Sequence, residues 1–137
     1  MDEIEIQEPP VKKPKTRVSK SVQRKLKESL QAEGQVVVHC SLRPPVFGTL
    51  IRIWKSTFLI PKGTDLRCPM LYWENITLHP RWMKIPGGKG HRFTLIFAPL
   101  PSSCTLFNLE EIIPEPGGFS IQNISRNDSD VYHVELD

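Results

Sequence analysis

Apolar and polar residues alternate along the chain after residue 34, in short runs that proline and glycine interrupt. An alternation of period two puts successive side chains on opposite faces of a strand, so that one face can be buried. Between residues 92 and 98, for example, Phe93, Leu95 and Phe97 share a face. The pattern therefore predicts a series of β-strands, each buried on at least one side.

Such runs predict strands at residues 35–41, 48–54, 56–60, 67–73, 75–78, 92–98, 118–124 and 130–136, with the second and third either separate or joined as one bent strand. The turn-forming residues 126–129 predict a hairpin between the last two strands. The chain has 13 prolines, about twice the usual share, and they exclude a long helix from this region. Without crossover helices a parallel sheet is disfavoured, so we expect a small antiparallel β-sandwich over residues 34–137.

A short amphipathic helix is predicted ahead of the strands, over residues 20–33. A serine can cap its N-terminus, and Gly34 follows its end. The apolar residues Val22, Leu26 and Leu30 recur every four positions and form a stripe one residue wide. Such a helix either docks on the sandwich through that stripe or frays in water.

Residues 1–19 form an arm that begins acidic and then becomes basic. Four acidic residues lie within 1–8, and eight basic residues with no acidic one lie between Pro9 and Lys27. The arm has few large apolar side chains, so it cannot bury enough surface to fold alone, and we expect it to be disordered. Flexible lysines and arginines release counterions from nucleic acid, so the arm is suited to bind a polyanion. The alternative is a tail that only keeps the protein soluble.

Charge is also segregated within the predicted sandwich. Residues 34–103 hold nine basic and two acidic residues, whereas residues 104–137 hold one basic and seven acidic residues. If the late strands lie apart from the early ones, the domain is dipolar. If they interleave, the charges pair and cancel.

The three cysteines, Cys40, Cys68 and Cys104, are odd in number and lack the spacing of a disulfide framework or a structural zinc site. The N-terminus shows no apolar signal core, and no stretch approaches the roughly 18 apolar residues of a membrane span. We therefore expect a cytoplasmic protein with no membrane partner, no metal and no cofactor.

Catalytic motifs are missing from the sequence. His39 and Cys40 are adjacent, so on a strand they face opposite ways and cannot act as a pair. The glycine-rich segment 86–91 leads into a strand, whereas a phosphate-binding loop opens a helix, so a hairpin loop is expected there. The sequence predicts that the protein is not an enzyme.

Aromatic side chains interleaved with cations on a sheet can stack nucleic-acid bases. Arg52 and Trp54 alternate with two isoleucines, so the pattern predicts that Trp54 is exposed beside a cation. Trp73 and Trp82 are expected in the core, where sandwich tryptophans are common.

The segments Phe93–Pro101, Phe107–Glu111 and Gly117–Phe119 provide a strand, a Leu-Pro turn and a Phe-x-Leu-x-Glu stretch. This pattern resembles immunoglobulin-like sandwich domains in uncharacterised bacterial proteins of the Bacteroides type. The resemblance covers about the last 45 residues. It implies an immunoglobulin-like fold and no known active site.

The sequence thus predicts a binding or scaffolding module without enzymatic activity that acts through protein–protein interaction, by strand addition or by packing in a groove. The alternative is a nucleic-acid-binding protein that uses the basic arm as an electrostatic tether. The residues predicted to contact a protein partner or a polyanion are Lys12, Lys13, Lys15, Arg17, Lys20, Arg24, Lys25, Lys27, Arg52, Trp54, Lys55, Arg81, Lys84 and Lys89.

Overall fold

A computed structural model describes residues 34–136. The described chain is all-β, as predicted, and contains no helix. Its nine strands are β1 (Val36–Leu42), β2 (Thr49–Ile51), β3 (Thr57–Pro61), β4 (Cys68–Glu74), β5 (Met83–Ile85), β6 (His91–Phe97), β7 (Leu106–Glu111), β8 (Ser120–Ser125) and β9 (Val131–Leu136). The predicted arm at 1–19 and the predicted helix at 20–33 lie outside the described residues.

The strands form one large sheet and one small sheet. The large sheet has seven strands in the order β8-β7-β3-β4-β6-β1-β9, and the small sheet pairs β2 with β5. Neighbouring strands are antiparallel except β1 and β9, which run parallel. The expectation of a purely antiparallel sheet was therefore wrong at one edge, where residues far apart in sequence are paired.

The seven-stranded sheet curls so that its two ends enclose a common core. Strand β4 is the corner. Its first two residues pair with β3, and Met70 and residues 72–74 pair with β6, with a register shift between Met70 and Tyr72. The rings of Phe107 on β7 and Tyr132 on β9 meet edge to face with centroids 5.1 Å apart, although the two strands are far apart in the sheet order. Bulges of this kind increase the local twist, which is why the sheet closes on itself.

The core follows from the alternation read in the sequence. On β3 every second residue is buried, while on β6 the five residues from Phe93 to Phe97 are all buried. β6 lies between β4 and β1 in the sheet, and its residues on both faces are buried. Burying a large apolar side chain contributes about 1.5–3 kcal/mol, and the most enclosed side chains are Phe97, Phe107, Ile53, Leu59, Met70, Leu95 and Leu109.

The predicted hairpin between the last two strands was wrong. β8 pairs with β7 and β9 pairs with β1, so these consecutive strands lie at opposite edges of the large sheet. Residues 126–130 form an arch between the two edges instead. Arg126 holds the arch by donating to both carboxylate oxygens of Asp130, at 3.1 and 3.0 Å, and to the carbonyl oxygens of Pro101 and Cys104.

Four other local differences separate the prediction from the structure. Residues 106–111 form β7, a strand that was not predicted. Residues 75–78 form no strand and contribute only an isolated bridge between Leu78 and Ile53. Residues 83–85 form a strand that the alternation did not indicate, because it is only three residues long. The glycine-rich segment 86–91 leads into a strand, as expected, but it joins β5 to β6, which are not paired, so it is not a hairpin loop.

Candidate interaction surface

The small sheet separates an apolar inner face from a mixed outer face. In its register Thr49 pairs with Ile85, Leu50 with Lys84 and Ile51 with Met83. Ile85 is buried and Ile51 packs against the core cluster. Alternation then turns Leu50 and Lys84 outward, and both are exposed.

Two loops meet at one end of this sheet. Residues 45–48 form a tight turn closed by a hydrogen bond from the Gly48 amide to the Pro45 carbonyl oxygen at 2.9 Å. A Cβ atom on Gly87 would overlap the carbonyl oxygen of Val46, so the two backbones are in direct contact. Gly48 has a φ of 86°, a conformation that glycine adopts without strain. The turn is therefore fixed against the neighbouring loop.

Four of the large exposed apolar side chains belong to this small sheet and its turn. Val46 and Phe47, at the corners of the turn, are 89% and 88% exposed, and we call this pair the apolar tip. Leu50 and Trp82 are 53% and 54% exposed. We call Leu50, Arg52, Trp82 and Lys84 the outer face. Exposed apolar clusters of this kind mark interaction sites in soluble domains.

Arg52 fixes the position of Trp82 on the outer face. Its guanidinium carbon lies 3.8 Å from the ring centroid of Trp82, which is a close cation–π contact. One guanidinium nitrogen of Arg52 donates to the Pro80 carbonyl oxygen at 3.1 Å, and another lies 3.6 Å from a carboxylate oxygen of Glu115. The arginine side chain is only 15% exposed. It therefore supports one face of the tryptophan ring while the ring remains half in solvent.

Trp54, which follows the outer face in sequence, is held in place by His79 and Glu111. Its ring stacks on His79 with centroids 3.6 Å apart, and its amide donates to a carboxylate oxygen of Glu111 at 3.0 Å. The other carboxylate oxygen of Glu111 accepts from the Phe119 amide at 3.3 Å. Burial raises the pKa of Glu111, and the two amides and the positive charge of Arg52 offset part of that rise.

The small sheet carries a strong local charge. Residues 43–55 and 75–92 contain seven basic residues and no acidic one. The Arg52–Glu115 salt bridge joins the basic region, residues 34–103, to the acidic region, residues 104–137. The other salt bridge among the described residues, Arg126–Asp130, lies within the acidic region. Among the described residues, the two charge regions are therefore joined by one salt bridge, while Arg81, Lys84 and Lys89 remain exposed.

The structure brings several of the predicted contact residues together. Arg52 and Lys84 share the outer face, Arg81 precedes Trp82, and Lys89 lies in the loop that touches the tip. The ammonium of Lys55 instead lies 5.9 Å from the ring centroid of Trp73 on β4. The eight predicted residues from Lys12 to Lys27 lie outside the described residues.

The expectation for one tryptophan was wrong, and the apolar tip was missed. Trp82 is exposed, although it was expected in the core like most sandwich tryptophans, whereas Trp73 packs against the core as expected. Val46 and Phe47 were not singled out from the sequence. Their signal is the Pro-Pro-Val-Phe-Gly stretch, where prolines and a glycine leave two apolar residues at the corners of a turn.

Cys40, Cys68 and Cys104 are all buried, and burial raises the pKa values of Cys40 and Cys68 above that of a free thiol. Residues 34–136 contain no group of three or more histidine, cysteine or acidic side chains placed to hold a metal ion. A cavity of about 360 Å³ near Leu66 and Pro101 is lined by one ammonium, from Lys62, and by the buried Cys104.

No helix in residues 34–136 is long and apolar enough to span a membrane. Comparison with protein-family models, with curated proteins and with solved structures finds no match to this chain.

Proposed function

We propose that this protein is a non-enzymatic interaction module that binds a protein partner through the outer face of the small sheet. The observation that carries the proposal is Trp82, a half-exposed indole held in place by Arg52 at 3.8 Å. Tryptophan and arginine dominate the binding energy of many interfaces when they lie at the centre of a docking patch. Leu50 extends the apolar surface beside them, and Lys84 lies across the sheet from Leu50.

The outer face is preorganised for binding. Arg52 is already desolvated and bonded to Pro80 and Glu115, so complex formation does not have to order its long side chain. Trp54 is similarly immobilised by His79 and Glu111. Strand addition is less suited to the edge strand β8, because Asn123 has a φ of 59° and its amide already bonds to the Asn108 side chain. We therefore favour side-chain docking on the outer face over pairing at that edge.

We propose an immunoglobulin-like sandwich as the finer description of the fold, and a cytoplasmic location for the protein. Tyr132 supports the fold assignment, since its hydroxyl bonds back to the Asn127 amide at 3.1 Å, similar to the tyrosine corner of such sandwiches. The parallel pairing of β1 with β9 brings the two ends of the domain to one edge.

The protein-binding proposal can be tested with a photoreactive phenylalanine analogue placed at position 82 of the full chain, in the cells that make it. We expect a discrete cross-linked adduct at Trp82 and none when the same group replaces Gln122, an exposed residue of β8. The exchange Leu50→Ser should weaken the adduct at position 82, because it removes apolar area from the same face. No adduct at position 82, or the same adduct at both positions, would rule out docking on the outer face.

The second candidate is nucleic-acid binding through the basic arm. One observation favours it: the seven basic residues of 43–55 and 75–92 have no acidic neighbour within those segments, and Trp82 offers a ring beside them. Binding of the full chain to a generic single-stranded DNA should then fall steeply between low and moderate salt. Replacing Lys12, Lys13 and Lys15 by alanine should flatten that dependence. If no DNA is bound at low salt, this candidate is rejected.

A further inference from the structure

We propose that the apolar tip, Val46 and Phe47, inserts into an anionic lipid surface while the neighbouring cations contact the lipid headgroups. This inference concerns a peripheral lipid contact that goes beyond the proposed function. Its inserted residues, Val46 and Phe47, lie outside the outer face, with which it shares only Lys84. The expectation of no membrane partner was drawn only from the missing apolar span. A shallow insertion of two side chains does not require such a span.

The first support is the shape of the tip. Val46 and Phe47 are 89% and 88% exposed and are adjacent, so they project together from the end of the small sheet. The backbone of the turn is held in place, because the Val46 carbonyl is in contact with the Gly87 backbone and the Gly48 amide bonds to Pro45. Pro44, which precedes the turn, is buried and anchors its start. The exposure is therefore built into the backbone.

The second support is the charge around the tip. Arg43, Lys84 and Lys89 are exposed on the two chain segments that meet there. Neither segment contains an acidic residue between 43 and 55 or between 75 and 92. Clustered lysines and arginines are attracted to anionic headgroups, with the largest effect close to the surface. Apolar insertion and headgroup attraction would thus act at the same place.

A lipid surface fits this arrangement better than a protein pocket or a nucleic acid. The side chains of one valine and one phenylalanine cover at most about 300 Å², whereas a stable protein interface needs about 800 Å² from each partner. Val46 is aliphatic and cannot stack on a base. A fluid interface, by contrast, takes up two projecting side chains without a complementary pocket.

The test uses the full chain and vesicles of phosphatidylcholine with or without about 30% phosphatidylserine. We expect the protein to sediment with the anionic vesicles and not with neutral ones. The double exchange Val46→Ser/Phe47→Ser should lower the partition coefficient about 10-fold to 100-fold, because it removes the inserted apolar groups. Leu66→Ser is the matched control, since Leu66 is 54% exposed in another loop, and it should change binding less than about twofold.

A second readout reports insertion directly. The three native thiols are buried, so the exchange Phe47→Cys provides one reactive thiol for an environment-sensitive dye. Its emission should rise and shift to the blue with anionic vesicles, whereas the same dye at Leu66→Cys should not respond. The exchanges Lys84→Ala and Lys89→Ala should each weaken binding to anionic vesicles about fivefold.

The inference is overturned if the unaltered protein does not bind anionic vesicles. It is also overturned if the Val46→Ser/Phe47→Ser variant binds them as tightly as the unaltered protein does. It is also overturned if the tip exchange abolishes the adduct at position 82 and leaves vesicle binding intact, since the tip then serves the protein partner. Failure of vesicle binding with the adduct unchanged leaves the proposed function standing.

Discussion

The hydroxyl of Tyr132 donates a hydrogen bond to a carboxylate oxygen of Asp130 at 2.8 Å and accepts one from the Asn127 amide at 3.1 Å. The same carboxylate accepts two hydrogen bonds from Arg126. One phenol thus ties the first residues of β9 to the arch that brings the chain across from β8. The Tyr132 side chain is 5% exposed, so these bonds are shielded from water.

Tyr132→Phe should destabilise the protein by about 1–2 kcal/mol, because it keeps the packed ring and leaves the Asn127 amide without its acceptor. The measurement is the free energy of unfolding in urea. Tyr72→Phe is the matched control, since the Tyr72 hydroxyl bonds to none of the described residues, and its effect should stay within about 0.5 kcal/mol. Equal effects of the two exchanges would contradict a role for the Tyr132 hydroxyl.

The raised pKa of Glu111 predicts a pH dependence of stability. A carboxyl whose pKa is higher in the folded state binds its proton more tightly there, so its contribution to the free energy of unfolding falls as pH rises from the unfolded value to the folded one. Above that window the contribution is constant. Comparing unfolding of the unaltered protein with that of Glu111→Gln isolates this group, because all other titrating groups are shared.

We expect the stability difference between the two proteins to shift in favour of Glu111→Gln as pH rises above about 4.5, the usual value for this group. The shift should stay well below about 1.4 kcal/mol per pH unit, since the carboxylate is partly exposed to solvent. Urea unfolding at pH 4, 5, 6 and 7 measures it. A shift in favour of the unaltered protein would mean that the amides of Trp54 and Phe119 outweigh burial.

The contact between Gly87 and Val46 predicts that the apolar tip depends on a glycine. Gly87→Ala forces a methyl group into the Val46 carbonyl, and we expect a loss of about 1–3 kcal/mol in stability. Gly90→Ala is the control in the same loop, because a Cβ there lies 3.8 Å from the Leu42 carbonyl oxygen, an ordinary contact. If thermal unfolding shows no difference between the two exchanges, the two loops are not held together.

Alternation predicted most of the longer strands, but it was not recognised in β7, where Phe107 and Leu109 are fully buried. Phe93, Leu95 and Phe97 on β6 are buried as expected. Ile53 is also buried, whereas Trp54, which was expected to be exposed, is only partly exposed and stacks on His79. β5 was not predicted because its three residues are too few to establish a period, and its partner β2 is equally short.

Pairing of strands and exposure of particular rings were harder to predict. Asn127, Asp128 and Ser129 tolerate tight turns, but the same residues suit an arch as well as a hairpin, so local chemistry leaves the partner of β9 open. That partner is β1, whose Val37 amide donates to the Asp130 carbonyl oxygen at 2.9 Å. Trp82 was assigned to the core because indoles are usually buried, and only the geometry of Arg52 reveals why this one stays outside.

The parallel pair of β1 and β9 has a consequence for synthesis of the protein. Val37 on β1 pairs with Val131 on β9. The first described strand therefore cannot complete its pairing until the last described strand has been synthesised. Until then Val37 and its strand have only β6 beside them, and one backbone edge stays open. We expect nascent chains that stop before residue 131 to be sensitive to proteases and prone to self-association, and the native state to form late, after translation has passed β9.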